Sequence, residues 1–503
     1  MYQAFKRVRN KAREFYPHQI ILRTIADLNH PEAHTVERLR IYRPWELLLL
    51  AKWTFQFGDY TDPDRHNLEE KHYSQLINLM QEMGQFVRMP SDNPSLLMWM
   101  RKMAFQQFWF QERIRSQQIA QQSLLFNRLP DNHSFQTDFC QHTGISIHDF
   151  VILAIAVLVA FAGDHRQQFI TLKWFHILDG AVASDAVPAF LRIISKPFED
   201  IREYLTSSET SPSSKEYEYY EQSPFKKFPL LQIEDRYYCM SPILLFHSLH
   251  SFVHDTLKGI DPNAFVNKFG GTFEKYIGDS LGYSGVAHIT EDDLRVSLKT
   301  KHKLVDFMLY DSGVNVLIDA KGVELPTLGM LTHLQDVLRD KTKSSILKAI
   351  TQAYETWNSA QSLSSISNLP VGTNPPFLVV VTLKELYLGT GADFLREVAD
   401  DFYSNLLARF ERKALIPPEH IYFLSLSAFE YLIQAIKSGH SLVAILNEAV
   451  RLDRDNSTKS FLFDQHVYKF KTGIPDYLDA EFAAIMRELK THFPESSSEV
   501  ASA

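Results

Sequence analysis

The chain has 503 residues, of which 45% are hydrophobic and 22% are charged, as is typical of a soluble globular protein with two or three domains. Its formal net charge of −8 excludes a protein coated in basic surface, so any contact with nucleic acid must come from a local patch. The only two cysteines, Cys140 and Cys239, exclude a disulfide framework and a four-cysteine zinc site, and they favour a reduced, intracellular environment.

Neither the amino-terminal segment nor the longest apolar run indicates export or membrane insertion. The basic residues between Lys6 and Arg13 are not followed by the apolar core of a secretory signal. We interpret this segment as a solvated helix, with contact to nucleic acid as the alternative. The apolar run at 150–162 is too short to span a bilayer and predicts a buried helix. The sequence therefore predicts a cytoplasmic protein.

Residues 1–205 are expected to form an all-helical domain for recognition or regulation. Segments such as 44–53 are rich in good helix formers and lack internal proline. A homodimer contact or a partner protein would use this domain. The polar stretch at 206–227 then predicts a linker or exposed loop, which we take as the domain boundary.

Residues 228–490 have the pattern of a mixed α/β domain, and residues 491–503 that of a flexible tail. The predicted strands are 228–233, 237–240, 293–298, 305–310, 316–321, 377–382 and 421–426. The predicted helices are 242–257, 263–281, 344–359 and 392–409. The second of these helices carries one apolar stripe, which consists of Phe265, Phe269, Phe273, Ile277 and Leu281.

The most informative stretch is a predicted β-hairpin with two aspartates and a lysine in otherwise apolar strands. A tight turn at Ser312 and Gly313 places Asp306 directly opposite Asp319, with Cβ atoms roughly 4.5–5.5 Å apart. Because side chains alternate along a strand, Lys321 points to the same face as Asp319. Two adjacent carboxylates on an apolar sheet repel each other unless a cation neutralises them. The hairpin therefore predicts a divalent-metal site with an ammonium group beside it.

The flanking helices supply further polar candidates. Glu274 lies next to the apolar stripe of its helix, so it can face the edge of the sheet. Lys348 and Gln352 are four residues apart and share one face of the helix that follows the hairpin. The chain thus presents a helical glutamate, a strand aspartate, a strand Asp-x-Lys and a helical glutamine in that order.

This order resembles the PD-(D/E)xK nuclease superfamily, the restriction-endonuclease-like fold, and in particular its RecB-like members. The resemblance covers roughly residues 228–426 and implies an α-β-β-β-α-β core with a mixed sheet. Two departures are visible in the sequence. Val305 rather than proline precedes Asp306, and Gln352 with the nearby Tyr354 does not reproduce the family's Gln/Tyr spacing.

The resemblance implies a catalytic set that consists of Asp306, Asp319, Lys321, Glu274 and Gln352. Within it, Asp306, Asp319, Glu274 and the carbonyl of Ala320 would hold Mg²⁺, with Mn²⁺ as a substitute, because Mg²⁺ prefers oxygen ligands. Lys321 would orient the attacking water or stabilise the developing oxyanion. Gln352 would position the phosphate or the water.

A local positive balance surrounds this set. Residues 295–348 hold nine lysines and arginines against six acids, which suits a phosphate backbone. The candidate contacts to nucleic acid are Arg295, Lys299, Lys301, Lys303, Lys343 and Lys348.

Together these features predict a Mg²⁺-dependent endonuclease that acts on DNA. Fold-level analogy suggests a role in restriction or anti-phage defence. One alternative is a nuclease of the same fold that acts on RNA or tRNA. The other is a catalytically inactive nuclease fold that serves as a DNA-binding or scaffold protein. The intact carboxylate pair counts against the inactive form, since such a protein has no reason to keep two repelling aspartates.

Overall fold

The computed structural model describes residues 2–33, 35–62, 64–84, 95–130, 133–163, 166–207 and 215–491. The chain divides into two compact units. The first comprises Met1–Ser91, Met103–Ile260 and Ala480–Ala503, and the second comprises Asp92–Lys102 and Asp261–Asp479. This division falls after Ile260, later than the boundary predicted at 206–227. The predicted start of the second domain at residue 228 is also too early. Residues 230–239 belong to the first unit, because they pair with its strands.

Helices dominate the first unit. They are α1 Tyr2–Ala12, α2 Pro17–Leu28, α3 Val36–Leu39, α4 Pro44–Phe57, α5 Glu70–Gly84, α6 Leu96–Gln107, α7 Ala120–Gln122, α8 Ser134–Thr143, α9 Ile147–Ala162, α10 Ala186–Ile194, α11 Phe198–Ser207, α12 Lys215–Tyr220 and α13 Pro242–Ile260. The division between the units falls within α6.

A small four-stranded sheet corrects the expectation that residues 1–205 are all-helical. Its strands are β1 Ile170–Thr171, β2 Ser195–Pro197, β3 Leu230–Ile233 and β4 Arg236–Cys239, in the order β1-β4-β3-β2. The hairpin of β3 and β4 was predicted, whereas β1 and β2 were not. Strands of two and three residues are too short to show the alternation of apolar and polar residues by which a strand is recognised.

The segment predicted as a linker or exposed loop also contains structure. Residues 208–214 lie outside the described residues, but α12 follows directly. Glu218, Tyr219 and Tyr220 within α12 are at most 4% exposed. Lys52 and the indole N–H of Trp53 both donate to the carboxylate of Glu218. The aromatic rings and this buried ion pair fix the end of the segment in the first unit, so this part is neither a linker nor exposed.

The apolar run at 150–162 lies in α9, as expected of a buried helix. Ser146 caps its start by accepting the backbone N–H of Asp149, and most of its side chains are buried. Among the described residues, no single helix has the length and apolar character to cross a membrane. The helices α8 and α9 pass such a test only as a pair bent by 62°.

The second unit is built around a five-stranded mixed sheet. Its helices are α14 Pro262–Ser284, α15 Glu291–Leu298, α16 Thr327–Leu331, α17 Gln335–Thr342, α18 Ile346–Ala360, α19 Gly391–Val398, α20 Asp400–Arg409, α21 Leu426–Lys437, α22 Leu442–Asp453 and α23 Asp464–Val467, and α24 Asp476–Thr491 begins here and ends in the first unit. Its strands are β5 His288–Thr290, β6 Phe307–Asp311, β7 Val314–Lys321, β8 Ser365–Ile366, β9 Leu369–Pro370, β10 Phe377–Thr382 and β11 Ile421–Ser425.

The strand order in this sheet is β11-β10-β7-β6-β5. The strands β5, β6 and β7 are antiparallel neighbours, whereas β7, β10 and β11 run parallel to one another. Strands β8 and β9 form a separate short hairpin. The parallel pairs require crossover connections, and α18 lies in the crossover between β7 and β10.

Helices cover both faces of the sheet. Along each strand, successive side chains point to opposite faces, so each strand contributes to two different layers. On one face, α18 packs onto the strands in a core that includes Leu317, Leu378, Val380, Ile350, Ala353 and Trp357. The apolar stripe of α14 lies on the other face, and its five members are at most 3% exposed, as predicted. Gly278 allows close approach there, since a Cβ atom at this position would lie 3.1 Å from the ring of Phe307.

Three other predicted elements differ or cannot be compared. Residues 293–298, predicted as a strand, belong to helix α15, because Thr290 and Asp293 form a reciprocal capping box at its start. The predicted helix at 392–409 is two helices that break at Ala399. Most of the predicted tail, residues 492–503, lies outside the described residues.

Candidate metal centre

The predicted register of the hairpin is confirmed. Phe307 pairs with Ile318, and the turn has positive φ at both Ser312 (50°) and Gly313 (84°), the backbone of a type I′ turn. Asp306 immediately precedes Phe307, so this register brings it opposite Asp319 at the end of the ladder. Here the backbone N–H of Ala320 donates to Oδ2 of Asp306 at 2.6 Å. This bond ties the first aspartate to the strand that carries the second.

Asp319 is the most deeply buried member of the site. Its side chain is 0% exposed, and its Oδ1 pairs with the ammonium group of Lys321. Its Oδ2 has no hydrogen-bond donor among the described residues. Burial is the largest influence and raises the pKa of Asp319, while Lys321 and Lys348 oppose that effect. A buried carboxylate oxygen that lacks a donor is costly, which indicates that a further positive partner belongs at this position.

Asp306 is 9% exposed, so its carboxylate is also costly to bury in the ionised form. Burial and the neighbouring Asp319 raise its pKa to about 8, while Lys321 and the Ala320 N–H act in the opposite direction. Two carboxylates that share one lysine cannot both ionise easily in the absence of another cation. The pair is therefore expected to retain one proton near neutral pH when no metal is bound.

Gln352 on α18 reaches the site and fixes the position of the lysine. Its Nε2 donates to the carbonyl of Leu304 at 2.7 Å, and its Oε1 accepts from Nζ of Lys321 at 3.3 Å. The side chain of Lys321 is 15% exposed, and it lies between Asp319 and Gln352. The helical glutamine therefore contacts the lysine of the hairpin.

Glu274 is half-buried on α14, and its charge interacts with the same group of residues. Burial is the first cause that raises the pKa of Glu274, followed by the charges of Glu291, Asp292 and Asp319, whereas Lys321 lowers it. These interactions place the glutamate within electrostatic reach of the aspartate pair. No hydrogen bond of Glu274 to the pair is present among the described residues.

Glu291 is an acidic member of the site that sequence reasoning missed. Thr290 pairs with Phe307 across β5 and β6, so the residues next to them, Glu291 and Asp306, meet at the same end of the sheet. The charge of Glu291 contributes to raising the pKa of Asp319, after the larger influence of burial. The pairing of β5 with β6 would have revealed Glu291. It was not predicted, because residues 293–298 were predicted as the strand instead of residues 288–290.

The predicted basic contacts differ in how close they are to the carboxylates. Burial, Lys303 and Lys321 lower the pKa of Lys348, which places these three ammonium groups in one neighbourhood. Arg295 pairs with Glu291 within α15, so its charge is already compensated. All five lysines of the predicted set are exposed, but only Lys348 acts on the pKa of Asp319, and Lys303 lies beside Lys348. The local positive charge at the site therefore comes mainly from Lys303 and Lys348.

Tyr354 and the carbonyl of Ala320 make no contact with the carboxylate pair among the described residues. The hydroxyl of Tyr354 donates to the carbonyl of Ile416 at 2.7 Å, and the side chain is 0% exposed, so it belongs to the core beneath α18. Ala320 contributes its N–H to Asp306. A ligand role for its carbonyl stays a prediction.

No protein-family model, curated protein or solved structure matches this chain. The functional conclusion therefore rests on the residues and their geometry.

Proposed function

We propose that the protein is a Mg²⁺-dependent phosphodiesterase that cuts nucleic acid, and specifically an endonuclease that acts on DNA. The observation that carries this proposal is the fully buried carboxylate of Asp319, whose Oδ2 has no donor among the described residues. It stands beside Asp306 and pairs with Lys321, whose ammonium group also donates to Oε1 of Gln352.

The element order of the second unit supports the same proposal. The elements α14, β5, β6, β7, α18 and β10 occur in this order along the chain, with α15 between β5 and β6, α16 and α17 between β7 and α18, and β8 and β9 between α18 and β10. Apart from these additional elements, the order agrees with the α-β-β-β-α-β core that the sequence resemblance implies. Glutamate, aspartates, lysine and glutamine stand on the elements from which that family draws its site. Because folds host many functions, this agreement supports the proposal only together with the chemistry of the site.

The residues fit a divalent cation. Asp306, Asp319 and Glu274 offer hard carboxylate oxygens of the kind that Mg²⁺ prefers. The strongest indication is Oδ2 of Asp319, which has no hydrogen-bond donor in the described part of the chain. An uncompensated charge in a protein interior costs several kcal/mol, and one lysine cannot offset two carboxylates. When bound, Mg²⁺ would make water more acidic and neutralise charge on the phosphoryl oxygens.

Lys321 and Gln352 have roles that follow from their contacts. The ammonium of Lys321 is held from two sides, by Asp319 and by Oε1 of Gln352, so one N–H remains to orient a water or to stabilise a phosphoryl oxygen. Gln352 acts as a positioning residue, because its own amide is anchored on the carbonyl of Leu304. Lys303 and Lys348 would bind the phosphate backbone beside the scissile bond.

Cleavage of supercoiled plasmid and of RNA, in Mg²⁺ and in EDTA, tests this function. We expect the wild type to cut DNA only in Mg²⁺, and Asp319→Ala and Lys321→Ala each to lose at least about 10²-fold in rate. Asp311→Asn is the matched control. Asp311 is a carboxylate at the turn end of the same hairpin, bound to Ser441 and the N–H of Val443.

Cleavage of RNA but not DNA, lost in the same two variants, would assign the site to an RNA nuclease. Undiminished cutting by both variants would place the activity elsewhere in the preparation. Failure of the wild type to cut either substrate would refute the proposal.

A further inference from the structure

We infer that the first unit carries a separate binding site for a nucleotide, in a cleft lined by three arginines. The cleft has a volume of about 430 Å³, and the arginines are Arg9, Arg13 and Arg202. The remaining wall is the segment from Gln56 to Thr61, which includes Tyr60. We call it the arginine cleft. It does not depend on the proposed nuclease activity.

Three elements of the first unit build the arginine cleft. Helix α1 carries Arg9, and Arg13 follows directly after its last residue. Helix α11 carries Arg202. The end of α4 and the loop after it supply the third wall, and Gln56 on α4 donates from Nε2 to the carbonyl of Leu205 at 3.3 Å. This bond fixes α4 to α11, so part of the cleft is preformed.

The guanidinium groups of the cleft are available to an anion. Among the described residues, neither Arg9, Arg13 nor Arg202 forms an ion pair with a carboxylate. Arg9 donates to Oδ1 of Asn10 and lies over the ring of Phe5, and Arg202 lies over the ring of Tyr60 at 5.7 Å. By contrast, Arg7 on the same helix pairs with Glu82, so compensated arginines do occur along α1.

The carboxylate in the cleft wall is already neutralised. Asp59 accepts the backbone N–H and the hydroxyl of Thr61 and pairs with Arg65 at 2.5 Å. The hydrogen bonds from Thr61, followed by Arg65, lower the pKa of Asp59 to about 2. Its charge is directed toward these partners, and the three arginines leave a local excess of positive charge in a chain of net charge −8.

The chemistry of the lining specifies a phosphate-bearing ligand with a planar group. Guanidinium groups bind phosphate in a bidentate manner, and a concave surface of one sign concentrates oppositely charged ligands. The volume falls within the range of about 300–1,000 Å³ that is usual for small-molecule sites. Tyr60 is 37% exposed, and its ring with the guanidinium of Arg202 offers planar surfaces for a base. A nucleoside polyphosphate satisfies both requirements.

Isothermal titration of the full chain at low salt tests this inference, with ATP, inorganic pyrophosphate and adenosine as the probes. We expect ATP to bind more tightly than pyrophosphate, and adenosine not to bind. Arg13→Gln and Arg202→Gln should each weaken ATP binding about tenfold or more, because each removes a charge-assisted contact. Arg7→Gln is the matched control on the same helix and should bind ATP like the wild type. Circular dichroism of each variant confirms that it is folded.

Other results would overturn the inference. Absence of saturable ATP binding by the wild type would do so, as would equal loss of binding in Arg7→Gln and in the two cleft variants. Pyrophosphate binding as tight as that of ATP would contradict a role for the base. A single-stranded oligonucleotide that binds more tightly than ATP and is equally sensitive to Arg13→Gln would show that the cleft is a nucleic-acid surface instead.

Discussion

Replacement of Asp306 by asparagine should change how the stability of the metal-free hairpin depends on pH. In the folded chain, burial and the adjacent Asp319 raise the pKa of Asp306 from the ordinary 3.8 to about 8. Between about pH 4 and pH 8 the folded state therefore binds a proton that the unfolded state has lost. The resulting stabilisation is complete below about pH 4 and is lost as the pH rises through about 8. Asparagine cannot titrate, yet its side-chain oxygen can still accept the N–H of Ala320.

The size of the effect follows from the number of protons involved. One proton held by the folded state changes the free energy of opening by about 1.4 kcal/mol per pH unit. Between pH 5 and pH 8 the wild type in EDTA should therefore lose up to ~4 kcal/mol relative to Asp306→Asn. The proton belongs to the pair of Asp306 and Asp319 rather than to one residue, so either substitution should remove it.

Hydrogen exchange of the amides in β6 and β7, corrected for intrinsic rates, provides the assay. A local measurement is needed because a chain with two compact units need not unfold in one transition. Asp311→Asn is the control on the same hairpin. Burial raises the pKa of Asp311, but the hydrogen bonds from Ser441 and Val443 with their neighbours outweigh burial and lower it overall, so the contribution of Asp311 to stability is lost only at acid pH. Above pH 5, the free energy of opening of the Asp311→Asn variant should change with pH as steeply as that of the wild type.

A wild type and an Asp306→Asn variant with the same slope between pH 5 and pH 8 would refute this reasoning. Such a result would mean that the two carboxylates are solvated or independently neutralised in the folded protein.

Four further substitutions test other parts of the site. Gln352→Ala removes the donor to the carbonyl of Leu304. It should lower the free energy of unfolding of the second unit by about 1–3 kcal/mol, measured by hydrogen exchange. An unchanged value would contradict the anchoring role of Gln352. Lys303→Gln and Lys348→Gln should each weaken DNA binding for all sequences and reduce the salt dependence of log K by about 1, measured by fluorescence anisotropy. Glu291→Gln should weaken Mg²⁺ binding about tenfold in calorimetry, because the charge of Glu291 acts on Asp319, and an unchanged affinity would contradict its place in the site.

The parts of the second unit that local sequence rules determine were predicted well. The Ser312-Gly313 turn sets the register by itself, since its backbone twist matches that of the strands it joins. The aromatic stripe of α14 repeats with the helical period, and β10 is a continuous apolar run. In each case the information lies in neighbouring residues.

Features that depend on pairing with distant strands were missed, and so was the start of one helix. The strands β1 and β2 form only because β3 and β4 lie beside them, and their two or three residues carry no pattern of their own. Helix α15 was predicted as a strand although Thr290 and Asp293 form a capping box. That error also concealed Glu291, whose place beside Asp306 follows from the pairing of β5 with β6.

The arginine cleft shows the same limit for binding sites. The basic residues near the amino terminus were visible in the sequence and were interpreted as a solvated helix. Only the folded chain places Arg9 and Arg13 in one cleft with Arg202, which is remote in sequence. Charges that converge from distant segments cannot be recognised from local composition.

Calorimetric titration of the full chain with Mn²⁺ tests the central claim most directly, because it asks whether the aspartate pair holds a divalent cation. The account predicts saturable binding by the wild type that Asp319→Asn weakens at least about tenfold and Asp311→Asn leaves unchanged. Absence of binding by the wild type, or equal binding by the wild type and Asp319→Asn, would contradict it.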